Sequence, residues 1–155
     1  MFKNTSLGIF CQRILCLLDC AAPIGDLILR IWVANVFWKS GLTKISNIDS
    51  TMYLFEYEYA VPIIPFELAA YLAIAAELVL PLMLVFGFAA RAAAGALFVF
   101  NIIAVVSYSA LNAVGIAQHQ VWGIMLLVLL LRGPGQISID YFIRKRILGH
   151  DSRSP

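Results

Sequence analysis

The chain has 155 residues, of which 62% are hydrophobic and 13% are charged, and its formal net charge is +2 at pH 7. Soluble domains carry about 25% charged residues and about 45–50% apolar ones, so lipid is expected to surround most of this chain. The small net charge gives no reason to expect nucleic acid as a partner. The length suits one domain built from a few membrane-spanning helices, since each span needs about 20 apolar residues.

The N-terminal segment, residues 1–23, contains three cysteines in the stretch CQRILCLLDC. Cys11, Cys16 and Cys20 lack the C-x-x-C spacing of a zinc or redox pair. We interpret them as small apolar residues on a segment that lies at the membrane interface, and we predict that they are dispensable.

Four apolar segments follow along the chain. Backbone groups in hydrocarbon must be hydrogen-bonded within their own segment, so each is predicted to be a helix of a bundle over residues 24–132. The segments comprise residues 27–45, 67–88, 89–111 and 114–131.

An aromatic stretch, TMYLFEYEYA, connects the first segment to the second. Tyr53, Phe55, Tyr57 and Tyr59 alternate with the period of a strand, whereas Ile48, Met52, Phe55 and Tyr59 fit the period of a helix. We favour a short helix or an irregular segment in the headgroup layer, because its aromatic rings suit the membrane interface.

The fourth segment ends in the stretch LLLRGPGQISID. Gly133 and Gly135 permit a sharp turn there, and Pro134 prevents the helix from continuing. Ser138 or Asp140 is then expected to cap a new helix over YFIRKRIL.

The basic residues set the expected orientation, because Lys and Arg are enriched on the cytoplasmic side of a membrane. With both termini in the cytoplasm, only Lys39 and Lys44 lie toward the outside. Residues 133–155 then form a cytoplasmic tail whose RKR run lies near anionic headgroups. The prediction is an all-α integral protein of the cytoplasmic (inner) membrane. Its single membrane domain is a four-transmembrane-helix bundle with an interfacial outer loop and a cytoplasmic basic tail helix.

Ionisable residues inside the predicted spans are candidates for a functional site, because each is costly in lipid. Glu77 lies near the middle of the second segment, and Arg30 lies a few residues below the midplane in the first. We therefore predict an Arg30–Glu77 ion pair, with Lys39 or Lys44 as the rival partner of Glu77. Such a pair either fixes the helix register or belongs to a ligand site.

Two further polar residues fall within the apolar segments. Asn101 shares a helix face with small residues and is expected to bond a neighbouring helix. His119 is interpreted as a hydrogen-bonded or interfacial histidine, since one histidine does not make a metal or haem site. The sequence contains no metal motif, nucleotide fingerprint or catalytic triad.

The pattern of these residues resembles the DoxX family over roughly residues 24–140. The resemblance rests on Arg30 followed by GLTK, on Glu77 followed by LVFGFAAR, and on the ending LRGPGQISID. A typical member has Leu where this chain has Ile139. The residues that match the family pattern are Arg30, Gly41, Lys44, Glu77, Arg91, Gly133, Pro134, Gly135, Ser138 and Asp140.

DoxX-like proteins are small four-helix membrane proteins, mostly bacterial, and the family is similar to a subunit of an archaeal thiosulfate:quinone oxidoreductase. The resemblance implies a membrane subunit of a redox system with a pocket for a quinone or a sulfur compound. We hypothesise that Phe37, Trp38 and Trp122 line this pocket and that Arg30 or Lys44 holds an anion. The expected partners are the lipid bilayer, a redox protein and further copies of the chain. The alternative is a non-catalytic membrane scaffold or a carrier of small molecules.

Overall fold

The computed structural model describes residues 6–61 and 63–148. Within these ranges the chain is helical apart from its connections and one isolated β-bridge between Tyr59 and Tyr108. The helices of the described ranges are α1 (Ser6–Ser46), α2 (Ile48–Tyr57), α3 (Phe66–Phe86), α4 (Ala90–Ser107), α5 (Ala113–Arg132) and α6 (Ile139–Leu148). Of these, α3, α4 and α5 are long and apolar enough to cross a membrane. The protein is therefore an all-α membrane protein.

The bundle is built from two helix pairs. α1 packs along α3, α4 packs along α5, and contacts between α3 and α4 join the pairs. Alanines at the centre allow the backbones to approach, and larger side chains fill the remaining space. The buried core contains Val33, Ala34, Phe37, Leu84, Ala93, Ala94, Leu97, Leu126 and Leu129.

The register between α1 and α3 is set by a close approach at Gly41. A Cβ atom at this position would lie 2.9 Å from Leu78 Cδ2 and 3.0 Å from Glu77 Cβ. Only a residue without a side chain lets the two helices meet here. Gly41 therefore aligns the end of α1 with the middle of α3.

The first helix is longer than the sequence predicted. It begins at Ser6 rather than near Leu27 and continues through Pro23. Every described side chain from Phe10 to Ala21 is exposed. Only the second half of α1 therefore packs in the bundle.

The aromatic connection contains the helix α2, which confirms the favoured short helix as far as Tyr57. Tyr59 lies beyond the end of this helix and forms the β-bridge to Tyr108. Asn47 caps the helix by accepting a hydrogen bond from Ser50 N at 3.0 Å. Thr51 and Phe55 are buried one turn apart on the face toward the bundle. We call this end of the bundle the α2 end.

At the opposite end, which we call the corner end, the chain turns between α5 and α6. α5 ends at Arg132, and Gly133 and Gly135 have φ values of 87° and 74°. Both values lie in the left-handed region that favours glycine. Ser138 Oγ accepts a hydrogen bond from Tyr141 N at 3.1 Å, which makes Ser138 the cap of α6.

Asp140 was the other candidate for that cap, and it caps a different helix. Its carboxylate oxygens accept hydrogen bonds from Ala89 N at 2.8 Å and Ala90 N at 2.9 Å. Its own N–H bonds Gly87 O at 2.9 Å. Asp140 thus stabilises the N-terminus of α4, where a negative charge is favourable, and ties α6 to the bundle.

Candidate functional site

The central polar feature of the bundle is an ion pair between Lys44 and Glu77. Lys44 Nζ lies 2.8 Å from Glu77 Oε1 and 2.7 Å from Oε2. Ser40 joins the pair, because its Oγ donates to Glu77 Oε1 at 3.1 Å and lies 2.8 Å from Lys44 Nζ. The side chains of Lys44 and Glu77 are 16% and 5% exposed. The carboxylate is therefore both buried and neutralised.

The local sequence explains why these groups meet. Ser40 and Lys44 are four residues apart and share one face of α1. The contact at Gly41 brings that face against Glu77. Thr51 Oγ1 donates to Lys44 O at 2.9 Å and holds α2 against the end of α1.

The predicted Arg30–Glu77 pair is wrong, and the rival partner Lys44 takes its place. Arg30 is fully buried, and its guanidinium donates to Leu84 O at 3.4 Å and to Ile137 O. Leu84 lies two helical turns beyond Glu77, about 10 Å along α3. The register at Gly41 therefore separates Arg30 from Glu77. Lys39 is exposed on another face of α1.

Two cavities share the Lys44–Glu77 pair as a common wall. The larger one, of about 600 Å³, lies between α3 and α4 under the α2 connection. The smaller one, of about 230 Å³, lies among α1, α4, α5 and the α4–α5 connection. The residues that line both are Lys44, Tyr59, Glu77, Phe100 and Ala104.

The larger cavity is almost entirely apolar away from the ion pair. Small residues such as Ala73, Ala76 and Gly95 leave the space between the helices. Leu72 and Val99 line it and are more than half exposed on the outer surface of the bundle. The cavity therefore faces the surroundings of the helices, which in a membrane are lipid.

A buried hydroxyl also lines the larger cavity. Ser107 is 3% exposed, and its Oγ has no hydrogen-bond partner among the residues that the structure describes. A buried hydroxyl without a partner costs about 1–3 kcal/mol. Ser107 is therefore ready to bond a molecule that enters the cavity.

Aromatic side chains form much of the smaller cavity. Phe37 packs edge-on against Phe100 and Trp122, with ring centroids 6.3 and 6.2 Å apart. Phe37 and Trp122 thus line the smaller cavity and not the larger one, and that they line a pocket for a quinone or a sulfur compound stays a prediction. Trp38 does not join them, because it lies in a separate groove beside Pro81.

The tyrosines at the α2 end close the site. Tyr59 stacks between Phe55 and Tyr108, with centroid distances of 4.7 and 4.8 Å. Burial raises the pKa of the Tyr59 phenol above its ordinary value, so this residue is a neutral donor at physiological pH. A hydrogen bond with Glu58 raises the pKa of Tyr108 as well.

Asn101 bonds the neighbouring helix, as its position predicted. Its Nδ2 donates to His119 O at 2.9 Å, and its Oδ1 lies 2.8 Å from His119 Nδ1. His119 also packs against Trp122 at a centroid distance of 4.8 Å. Asn101 thus orients the imidazole at the wall of the smaller cavity.

The other residues of the family pattern lie at the corner end. Arg91 Nη2 donates to Leu131 O and Arg132 O, both at 3.4 Å. Arg132 also lies 3.5 Å from Asp26 in an ion pair that is exposed only on the Arg132 side. These residues join α4, α5 and α1 rather than line the two cavities.

The cysteines lie apart from both ends of the packed bundle. Cys11, Cys16 and Cys20 are free and exposed on the first half of α1. Among the described residues, no three His, Cys, Asp or Glu side chains are placed to hold a metal ion together.

Sequence reasoning missed Ser40, Tyr59 and Ser107. The spacing of Ser40 and Lys44 was a usable signal, because residues four apart on a helix are neighbours. Tyr59 and Ser107 depend on how the α2 connection folds over α4, where Ala60 N bonds Ser107 O at 2.9 Å. That contact joins residues distant in sequence and has no local signature.

These features define a small helical membrane protein with a buried charged pair between two cavities. The profile of the DoxX family matches residues 25–110, and the chain belongs to this family. The match includes Arg30, Gly41, Lys44, Glu77 and Arg91, and it stops before the Gly-Pro-Gly corner.

A relative from Haemophilus influenzae, described as an uncharacterized protein, is 27% identical over 128 residues. The aligned region covers 79% of this chain and 85% of the relative. No solved structure matches the chain.

Proposed function

We propose that the protein is a subunit of, or an accessory to, a membrane redox system, and that it binds a quinone in the larger cavity. The observation that carries this proposal is a lipid-facing apolar cavity of about 600 Å³ that ends at the buried Lys44–Glu77 pair. This volume falls within the range of about 300–1,000 Å³ that is typical of small-molecule sites.

The residues of the cavity fit such a molecule. A quinone has an apolar tail, which suits the alanine-rich walls, and carbonyl oxygens, which accept hydrogen bonds. The Ser107 hydroxyl is an unpartnered donor on the cavity wall among the described residues, and Tyr59 supplies a second. The Lys44 ammonium, whose three N–H groups face Ser40 and Glu77, contributes its positive charge. When bound, a quinone supplies two-electron redox chemistry coupled to two protons. This chain positions the head group and provides Glu77 as a proton-accepting neighbour, while a redox partner protein exchanges the electrons.

We further propose that the second half of α1 is a fourth membrane span. It packs along α3, and its buried polar groups bond within the bundle. With the α2 end outside the cytoplasmic membrane of a bacterium, both termini lie in the cytoplasm. The first half of α1 and the helix α6 then lie beside the membrane, the latter with Arg144, Lys145 and Arg146 near headgroups. The ends of the predicted N-terminal segment and tail, residues 1–5 and 149–155, lie outside the described residues. Reporter fusions at Asp49 and Ala89 test this topology, since periplasmic activity is expected only at Asp49.

The experiment for the proposed function is to purify the protein, extract it with organic solvent and identify bound quinone. Ala76→Phe should abolish quinone retention, because Ala76 lines the cavity. Ala75→Phe is the matched control, because Ala75 is exposed on the outer surface of α3. Equal retention by the two variants would contradict the proposal.

The alternative function is a carrier or scaffold, and one observation favours a carrier. The two cavities share one ion pair in their walls, as a binding point that serves two compartments would require. A correctly folded protein that neither retains nor binds a short-chain quinone would favour this alternative.

A further inference from the structure

The smaller cavity differs from the larger one in polarity and in position. Its wall includes Ser40, Tyr108 and His119 in addition to the Lys44–Glu77 pair. Polar walls hold ordered water, whereas apolar cavities stay dry. A water molecule takes about 30 Å³ of liquid volume, so a cavity of about 230 Å³ has room for several.

The smaller cavity extends to the surface at the α2 end. Tyr108 and Leu111 line it, belong to the connection between α4 and α5, and are partly exposed. Val36 lines it from α1. The cavity therefore extends from the ion pair inside the bundle toward a polar connection at its end.

We propose that the smaller cavity is a water-filled proton passage between the α2-end surface and the carboxylate of Glu77. Water in this cavity reaches Glu77 from one side, while the larger cavity approaches the same carboxylate from the lipid side. The passage deepens the proposed function. It rests on that function only for the destination of the proton, which is the bound quinone. There it connects a quinone head group with the aqueous phase at the α2 end.

The proton balance of the passage is simple. A hydronium ion from the aqueous phase protonates the Glu77 carboxylate, which gives the carboxylic acid and one water molecule. Lys44 keeps its ammonium proton and remains beside the carboxylic acid. The net charge of the Lys44–Glu77 pair therefore rises from zero to +1. The titratable groups that face this step are Lys44 from α1, Tyr59 from the α2 connection, Tyr108 with its partner Glu58, and His119 from α5.

Aqueous access is tested by labelling with a charged, membrane-impermeant methanethiosulfonate. The protein is placed in lipid nanodiscs, with its three cysteines replaced by serine and one cysteine introduced. Val36→Cys should react severalfold faster than Ala75→Cys, which lies on the lipid-facing surface of α3. Ser50→Cys is the exposed positive control, and Ala93→Cys is the buried negative control. Equal rates for Val36→Cys and Ala93→Cys would overturn the water-filled passage.

Proton exchange is tested by infrared spectroscopy on the full chain. Acidification should produce a carboxylic-acid band that is missing in Glu77→Gln, and this band should shift rapidly on transfer to D₂O. Leu111→Trp should slow the shift severalfold by narrowing the passage where it meets the α2-end surface, whereas Ala75→Trp on the outer surface of α3 should not change it. Equal exchange rates in the two variants, or no band assigned to Glu77, would overturn the proposal.

The two proposals fail separately in these experiments. Labelling and infrared exchange report the passage without any quinone present. A chain that exchanges protons as described but retains no quinone would refute the proposed function and leave the passage standing.

Discussion

Lys44 and Arg30 lie on the same helix, about 21 Å apart along its axis at about 1.5 Å per residue, and their surroundings differ. Lys44 meets a carboxylate and lines two cavities. Arg30 meets the carbonyls of Leu84 and Ile137 and lines neither of those cavities. The contrast indicates that the α2 end carries the candidate site and that the corner end closes the bundle. The family pattern thus includes residues that form the candidate site and residues that hold the corner end of the bundle together.

The largest expected effect is at the ion pair. Lys44→Met should lower the free energy of unfolding by about 3–5 kcal/mol, because Glu77 is left buried without a partner. The double variant Lys44→Met/Glu77→Leu should recover most of that loss, since replacing both members is often close to neutral. Thermal unfolding in detergent measures both.

Ligand binding separates a site from a structural pair. The stable double variant should still fail to retain quinone if the α2 end is the binding end. Retention at the level of the unchanged protein would show that the ion pair serves only the fold.

The second effect concerns Arg30. Arg30→Met should cost about 2–3 kcal/mol, because the buried carbonyl of Leu84 and the partly buried carbonyl of Ile137 lose their charged donor. Adding Glu77→Leu should bring no recovery, and the two losses should add within about 0.5 kcal/mol, as expected for sites without shared partners. A double-mutant cycle by thermal unfolding measures this. Strong coupling between the two substitutions would show that Arg30 and Glu77 interact, and it would contradict the separation of the α2 end from the corner end.

The third effect tests the connection at the corner end. Asp140→Ala should destabilise the protein by about 1–2 kcal/mol, because the N-terminus of α4 loses its capping carboxylate. Asp19→Ala is the control, as Asp19 is exposed on α1. Quinone retention should stay unchanged in Asp140→Ala at a temperature where it is folded. A loss of retention there would assign the corner end to the site.

The smallest effect is expected in the region outside both ends. Replacing Cys11, Cys16 and Cys20 by serine should change stability by less than about 0.5 kcal/mol, since all three are exposed and exposed substitutions away from special features are close to neutral. Folded yield and quinone retention measure the result. Normal yield with lost retention would show that the cysteines have a role of their own.

Several elements were predictable from local signals. The apolar segments placed α3, α4 and α5 to within a few residues, and turn chemistry placed the corner and the Ser138 cap. Asn101 was found from its helix face because interhelical bonds follow that face.

The ion-pair partner of Glu77 was not predictable in the same way. Depth estimates along two separate helices do not determine their mutual register, which here depends on the contact at Gly41. The reach of Asp140 to Ala89 likewise joins residues far apart in the chain. Such contacts exist only once the helices have packed.

Gly87 places a constraint on how this sequence can vary over evolution. Its φ is +67°, and a Cβ there would collide with Arg30 Nη1 and with Ser138 Cβ, and would lie 3.0 Å from Ser138 Cα. A lineage that keeps Arg30 and the corner thus has almost no freedom at position 87. Replacement of this glycine should therefore appear in relatives only together with changes at Arg30 and Ser138. Such joint changes in related sequences would therefore reveal the contact of Gly87 with Arg30 and Ser138 without any further structure.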